Sequence, residues 1–160
     1  MLLYHGSPQI VRKPRILVPN RTLDYGIGFY TTTSEQQAHD WALRRISSGA
    51  CGYVNVYEFD ETAAAALKRL IFSNPPEDDW VDFVYANRTH RGFTHDNDLV
   101  YGPVANDRVY AAFALYEQGL LNKQELILEL KTYTLIDQMV FHTDKALKYL
   151  KFIEAKEARP

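Results

Sequence analysis

The pair His5-Gly6, which directly follows a short apolar run, is the first place in the chain where a ligand could be held. A glycine lets the backbone approach a flat molecule closely, and a paired donor and acceptor can bind an amide. The chain also contains 11 Tyr, 8 Phe and 2 Trp, enough for a stacking surface as well as a core. These residue types indicate a site for a planar, amide-bearing ligand, although a single histidine after a strand can also be structural.

A second group of polar residues would suit a different chemistry. Five His and Asp side chains in one stretch have the types that ligate metals: His90, His95, Asp96, Asp98 and Asp107. Asp96-Asn97-Asp98 is also typical of a turn before a strand, and Asp107 is placed to cap a helix. Asp98 and Asp107 together would suit a hydrolase. We expect no metal site and keep the hydrolase as a distant alternative.

The glycines Gly26 and Gly28 do not form a dinucleotide-binding loop of the Rossmann type. That fingerprint needs a third glycine and a helix that opens directly after the loop. Here Gly26-Ile27-Gly28 is followed by Phe29-Tyr30 instead. A Rossmann site is therefore not predicted.

Hydrophobic periodicity predicts the elements that carry these residues. Alternating or short apolar runs predict strands at 2–5, 53–59, 70–72, 99–101 and 138–142. Helical spacing and capping residues predict helices from Ser34 to about 47–49, at 63–70, 79–88 and 106–118, from about 122, and at 144–150 ahead of a polar tail. Because these elements lack βαβ regularity, the expected fold class is α+β rather than a doubly wound sheet.

Length and composition predict one globular domain over residues 1–160. The net charge of -2 provides no strong basic field for gripping nucleic acid. With Cys51 as the only cysteine, neither a disulfide nor a cysteine zinc site can form, which favours a reducing compartment. No apolar stretch suits a signal peptide or a membrane span, so we expect a cytoplasmic protein without a membrane partner.

Separated segments of the chain resemble the ADP-ribosyltransferase superfamily, in the branch with a His-Tyr-Glu-type triad that diphtheria-like toxins and poly-ADP-ribose polymerases share. The segments are Leu3–Ser7, Asp24–Tyr30, Tyr101–Asp107 and Asp137–Phe141. The resemblance is strongest to a bacterial subgroup known as the DUF3990 family, and there it covers nearly the whole chain. It implies an α+β domain with a split β-sheet core and flanking helices, which binds NAD in the cleft between two small sheets.

The resemblance also implies roles for individual residues. His5 would hydrogen-bond the adenosine ribose of NAD, and the backbone of Gly6 would hold the nicotinamide carboxamide. Tyr30 and Trp41 would stack on the two faces of the nicotinamide ring, which is favourable for a cationic ring by about 0.5–2 kcal/mol. Trp41 would alternatively serve only as the large apolar anchor of its helix.

Three further positions complete the comparison with the superfamily. Gly28 would relieve crowding in the loop before the tyrosine. Ala38 stands where polymerases place a serine hydroxyl on the carboxamide, so recognition would rest more on Gly6. Gln138 occupies the position of the family's glutamate, and an uncharged amide can orient the nicotinamide ribose but stabilises a developing positive charge less.

The resemblance therefore implies an NAD-dependent mono-ADP-ribosyltransferase with His5, Tyr30 and Gln138 as its triad. NAD is its substrate, and the acceptor is a protein or a nucleic acid. A cognate antitoxin is a further implied partner, because bacterial families of this kind are often toxins. The alternative is an NAD-binding or interaction module that has lost turnover through Gln138.

Overall fold

Seven strands form one mixed sheet in the computed structural model, which describes residues 1–160. The strands are β1 (Leu2–Ser7), β2 (Phe29–Thr32), β3 (Gly52–Phe59), β4 (Arg69–Ile71), β5 (Leu99–Pro103), β6 (Asp137–Phe141) and β7 (Leu150–Ala158). Their order is β4-β5-β6-β2-β1-β3-β7, and every neighbouring pair is antiparallel except β4 and β5. The predicted α+β class is confirmed.

Five helices connect the strands: α1 (Glu35–Arg44), α2 (Asp78–Thr89), α3 (Asp107–Glu117), α4 (Lys123–Leu130) and α5 (Asp144–Leu147), with a 3-10 turn at Ala63–Ala66. Side-chain oxygens of Ser34, Asn106, Asn122 and Thr143 accept backbone N–H groups in the first turns of α1, α3, α4 and α5. Gly119 follows α3 with a φ of 77°, the left-handed conformation that commonly ends a helix. No helix is both long enough and apolar enough to cross a membrane.

The two faces of the sheet are covered by different elements. On the first face, α2, α3 and α4 form a core with β5 and β6 that includes Trp80, Phe113 and Val140. Helix α1 packs beside this core, over β1 and β3. On the second face, Phe29 and Phe141 pack with the 3-10 turn and α5. Because successive residues of a strand point to opposite faces, this division assigns each strand residue to one side of the sheet.

The sheet is least continuous between β1 and β2. These strands are joined at the single pair Tyr4–Thr32, whereas β1 pairs with β3 along all of Leu2–Ser7. Strand β2 pairs with β6 over its full length, Phe29–Thr32. The molecule therefore has one sheet with a local opening between β1 and β2, rather than two separate small sheets.

The prediction of a polar tail after the last helix is wrong. Helix α5 ends at Leu147, and Leu150–Ala158 forms β7, which pairs with β3 along Gly52–Phe59. Its sequence is rich in Lys, Glu and Ala, which in isolation favour helix over strand. Pairing with β3, a strand already held by β1, overrides this weak local preference.

Candidate functional site

Three adjacent strands in the middle of the sheet carry the residues of the expected triad. Gln138 lies on β6, Tyr30 on β2 and His5 on β1, and the order β6-β2-β1 makes these strands neighbours although they are distant in the chain. No hydrogen bond joins the three side chains directly, and His5 reaches Tyr30 through the backbone. The topology places the three positions on neighbouring strands, but His5 lies on the second face of the sheet, whereas Tyr30 and Gln138 lie on the first.

His5 fixes the junction between β1 and β2. Its Nδ1 lies 2.7 Å from the carbonyl oxygen of Tyr30, and because a carbonyl only accepts, Nδ1 carries the proton. The ring lies against Phe29 on the second face, with centroids 4.4 Å apart. Burial lowers the pKa of His5 to about 4, so the ring is neutral near pH 7 and its Nε2 is an acceptor. Such an acceptor can bind a sugar hydroxyl.

Tyr30 lies on the first face and holds the loop that precedes it. Its hydroxyl donates to the carbonyl oxygen of Gly26 at 2.7 Å and accepts the N–H of Tyr25 at 3.1 Å. Burial raises the pKa of this hydroxyl, so it remains protonated. Because the loop occupies the hydroxyl, the ring is the part of Tyr30 that can contact a ligand.

Gly6 and Gly28 are both positions of close packing. A Cβ at Gly6 would lie 2.0 Å from the carbonyl oxygen of Ala38, because α1 crosses β1 at this point. A Cβ at Gly28 would lie 2.7 Å from Val140 Cγ1 and 2.8 Å from the carbonyl oxygen of Phe141. The fold therefore requires both glycines whether or not a ligand binds.

Ala38 and Ala42, rather than Trp41, anchor α1 to the sheet. Both alanines are fully buried against the first face, whereas Trp41 keeps part of its ring exposed. The second tryptophan, Trp80, is fully buried in the first-face core. Trp41 is therefore open to a planar ligand, on the same side of the sheet as Tyr30.

Gln138 is almost completely buried, with 3% of its surface exposed. Its amide lies beside the hydroxyl of Tyr25, which donates to the carbonyl oxygen of Pro103 at 2.8 Å and accepts the indole N–H of Trp80 at 2.8 Å. Burial raises the pKa of Tyr25, and the Trp80 and Gln138 side chains oppose that effect. Sequence reasoning missed Tyr25. A buried glutamine amide needs a polar neighbour because burial without a partner costs free energy, but the sequence does not say which residue provides it.

A polar network supports the loop before Tyr30 from the side of α2 and α3. Tyr110 donates to the carboxylate of Asp24 at 2.8 Å, and Arg88 lies 3.6 Å from the same group. Arg88 also donates to Glu117 at 2.8 Å and lies over the Tyr110 ring, 4.8 Å from its centroid. Burial raises the pKa of Asp24, while Tyr110 and Arg88 act against it by stabilising the charge. No spacing in the sequence connects these residues, so only the fold reveals them.

Two histidines hold the same loop from another side. The rings of His95 and His142 are nearly perpendicular, with centroids 4.4 Å apart. His142 Nδ1 lies 2.7 Å from the carbonyl oxygen of Ile27, and His95 Nε2 lies 3.3 Å from that of Tyr25. Burial lowers the pKa of both rings, that of His142 to about 4. Two neutral rings therefore fix the loop.

The other His and Asp residues that we considered as metal ligands do not lie close to one another. His90 is exposed after α2, and Asp96 pairs with a lysine at the surface. Asp98 precedes β5 and Asp107 lies beyond its other end, so the hydrolase alternative has no paired carboxylates. The cap of α3 is Asn106, not Asp107, which is exposed. No group of three or more His, Cys, Asp or Glu side chains is arranged to hold a metal.

Two cavities lie away from the expected triad. An apolar cavity of about 260 Å³ opens on the second face beside the edge strand β4, next to Leu99, Tyr101 and Met139. A more open and polar one of about 690 Å³ lies along Glu58–Ala63. Neither is lined by His5 or by any other residue of the expected site. The candidate site therefore rests on its side chains and their hydrogen bonds.

Comparison with known proteins gives one match. No curated protein and no solved structure matches the chain. A family model described as "Protein of unknown function (DUF3990)" matches residues 1–152, which include every residue of the candidate site. Because the match spans nearly the whole chain, the protein belongs to the DUF3990 family.

Proposed function

We propose that the protein binds NAD and transfers its ADP-ribose to one position on a macromolecular acceptor. The observation that carries the proposal is the order β6-β2-β1, because three segments distant in sequence lie side by side with Gln138, Tyr30 and His5 on them. These are the positions at which the sequence resembles the triad of ADP-ribosyltransferases. An ADP-ribosyltransferase-like arrangement around the opening between β1 and β2 forms part of the proposal.

The nicotinamide ring would bind on the first face, between Tyr30 and Trp41. Tyr30 offers its ring because the loop occupies its hydroxyl, and Trp41 is the partly open aromatic of α1. The backbone of Gly6, directly under α1, would hold the carboxamide. Stacking of a cationic ring on aromatic faces contributes about 0.5–2 kcal/mol. The first face thus supplies both the stacking and the amide recognition.

The adenosine ribose would bind at His5, whose ring lies on the second face. The neutral ring has a free acceptor, Nε2, which suits a ribose hydroxyl. NAD would therefore have to pass through the sheet at the junction of β1 and β2, which pair only at Tyr4–Thr32. The proposal requires this junction to open far enough for one dinucleotide to reach both faces of the sheet.

In the transfer step, the bond between nicotinamide and ribose breaks and nicotinamide leaves as a neutral molecule. The acceptor nucleophile bonds to the anomeric carbon and loses its proton to solvent. Gln138 would orient the ribose. Because Gln138 is 3% exposed, the proposal requires the neighbouring loop that contains Tyr25 to open on binding. An amide cannot supply the charge of a glutamate, which favours transfer of a single unit over polymerisation. The acceptor is a protein or a nucleic acid, and inhibition by a cognate antitoxin would fit a toxin of this class.

A second candidate function is NAD binding without turnover. The burial of an uncharged Gln138 beside Tyr25 favours it, because a buried amide is poorly placed to contact a substrate. The two functions can be distinguished because only the enzyme forms free nicotinamide. Incubation with NAD should release free nicotinamide if the protein is an enzyme, and should only raise the melting temperature if it is a binding module.

Trp41 provides an optical test of binding that does not depend on turnover. Adding NAD should quench tryptophan emission in the wild-type protein, because a nicotinamide ring would stack on Trp41. The Trp41→Phe variant keeps only the buried Trp80 as an emitter and should not respond. Unchanged emission together with an unchanged melting temperature at saturating NAD would reject both candidate functions.

A further inference from the structure

Residues 12–22 differ from the rest of the chain because they make no hydrogen bond to it. The preceding residue, Val11, is tied to β3: its N–H donates to Asn55 Oδ1 at 2.8 Å and its carbonyl oxygen accepts from the Tyr57 hydroxyl at 2.5 Å. The next residue with a hydrogen bond is Leu23. Between these anchors, neither the backbone nor the side chains bond to the protein. Their polar groups are left for water or for a partner.

Two prolines bracket the middle of this segment. Pro14 and Pro19 bracket Arg15–Val18, and a residue that precedes proline is restricted to extended conformations. The sequence Arg15-Ile16-Leu17-Val18 is rich in residues that favour strands, yet it belongs to no sheet. Its backbone N–H and C=O groups make no hydrogen bond to the protein and are free on both edges.

The same segment carries positive charge that forms no salt bridge, although Arg12 lies over the Phe152 ring and Arg21 is close enough to act on Asp24. It contains four cations, and the chain has no acidic residue before Asp24 although its net charge is -2. The cations are Arg12, Lys13, Arg15 and Arg21, and none of them forms a salt bridge. The segment thus presents a local positive field that the overall charge conceals.

Its apolar side chains are unusually open. Leu17 is 68% exposed and Val18 is 81% exposed, the latter the highest value among the large exposed hydrophobic residues. No aromatic residue occurs between Pro8 and Leu23 to stack on nucleotide bases. Aliphatic contacts, positive charge and a free backbone ladder together suit an acidic polypeptide better than a nucleic acid.

We propose that residues 12–22 dock an extended, acidic segment of a partner protein, which pairs with Arg15–Val18 as a β-strand and covers Leu17 and Val18. Main-chain bonds would provide the pairing, and the four cations would select acidic side chains on the partner. The inference does not depend on NAD or on the triad. A bound partner would lie directly before the loop that Tyr30 holds.

A fluorescein-labelled peptide that alternates glutamate and valine serves as the probe, and fluorescence anisotropy measures its binding to the full-length protein. Lys13→Glu/Arg15→Glu should weaken binding about tenfold or more, because both side chains are exposed and lie on the docking segment. The control Arg91→Glu/Lys148→Glu changes the net charge equally at exposed cations elsewhere and should bind as the wild type does. Leu17→Ser/Val18→Ser should also weaken binding.

Amide hydrogen exchange tests the pairing itself, since peptide binding should slow exchange within Arg15–Val18 and leave other exposed loops unchanged. Unfolding curves identical to wild type establish that each variant is folded, as expected for side chains without hydrogen bonds. No peptide binding, or equal binding by the Lys13/Arg15 variant, overturns the proposal. Tighter binding of oligothymidylate or phosphatidylserine vesicles through the same cations assigns the segment to another partner class and also overturns it. Unchanged exchange with the peptide bound overturns the strand pairing.

Discussion

At the scale of single residues, Gln138 combines two demands that oppose each other. Gln138 is buried beside Tyr25 in the absence of a ligand, while the proposed chemistry requires its amide to orient a ribose. Opening of the Tyr25 loop would reconcile the two demands. The consequence is that changes at Gln138 affect stability as well as turnover, and a test must separate them.

Gln138→Ala should reduce the rate of nicotinamide release about 100- to 1000-fold and change the affinity for NAD much less, because the contact is assigned to the transition state. Steady-state kinetics and calorimetric titration measure the two quantities. Asp98→Asn is the control: Asp98 is also buried, at 7%, and its carboxylate accepts the backbone N–H of Lys68 at 2.9 Å, before the start of β5. Nearly full activity in Gln138→Ala would remove Gln138 from the triad.

His142 makes stability depend on pH in the acidic range. Its pKa is 6.5 in the unfolded chain and about 4 in the fold, because burial and the neighbouring His95 disfavour the charged ring. Above pH 6.5 the neutral ring contributes its full stability, and as the pH falls towards 4 the unfolded state binds a proton that the folded state does not. The loss approaches roughly 3 kcal/mol for such a group.

His142→Asn should therefore reduce the fall in unfolding free energy between pH 7 and about pH 4.5, while keeping an N–H donor for the carbonyl oxygen of Ile27. Urea denaturation at the two pH values measures the difference. His90→Asn, at the exposed end of α2, should show the wild-type dependence. Equal pH dependence in all three proteins would contradict the role given to His142.

At the scale of elements, the contact between α1 and β1 determines where Trp41 lies. The helix approaches β1 so closely that its backbone at Ala38 and Ala42 contacts Gly6. Any side chain at Gly6 must push α1 outwards and so displace Trp41, which lies on that helix. Packing and the proposed ligand site are therefore coupled through one glycine.

Gly6→Ala should destabilise the protein by about 1–3 kcal/mol or more, because its Cβ would lie 2.0 Å from a backbone oxygen of α1. Gly49→Ala provides the comparison: no atom lies within 4 Å of its Cβ, and only its φ of 82° is unfavourable, at a cost of about 1 kcal/mol. Chemical denaturation compares the two variants. A smaller loss of unfolding free energy for Gly6→Ala than for Gly49→Ala would contradict the prediction, because it would show that α1 can shift at little energetic cost.

At the scale of the whole molecule, β7 completes the sheet and protects β3. It pairs along the full length of β3, and Ala158 packs with Val54 and Val56 under α1. Without β7, the long strand β3 would become an exposed edge of the sheet. The last strand is therefore an integral part of the sheet, although its local sequence resembles a solvated tail.

A chain that ends at Tyr149 should lose cooperative thermal unfolding, because β3 would lack its outer partner and α1 part of its support. Circular dichroism on heating and gel filtration detect the change. Removal of Arg159 and Pro160 alone is the control and should leave the melting curve unaltered, since β7 ends at Ala158. A sharp, wild-type transition in the shorter chain would contradict the importance of β7.

The sequence alone determined the features that depend on near neighbours. Ser34 and Asn122 cap their helices and the alternation over 53–59 forms β3, because capping and alternation involve residues a few positions apart. The sequence also singled out His5 and Gln138, which lie on the two strands that flank β2. Their proposed roles come from resemblance and stay predictions.

Only the tertiary structure decided which distant residues meet. It turned Leu150–Ala158 into a strand, placed Tyr25 beside Gln138, and joined His5 to the backbone of Tyr30. No local pattern encodes these contacts, because each depends on strand order and on packing between segments far apart in the chain. Burial follows from the same packing, and burial is what keeps His5 neutral and leaves the hydroxyl of Tyr30 protonated.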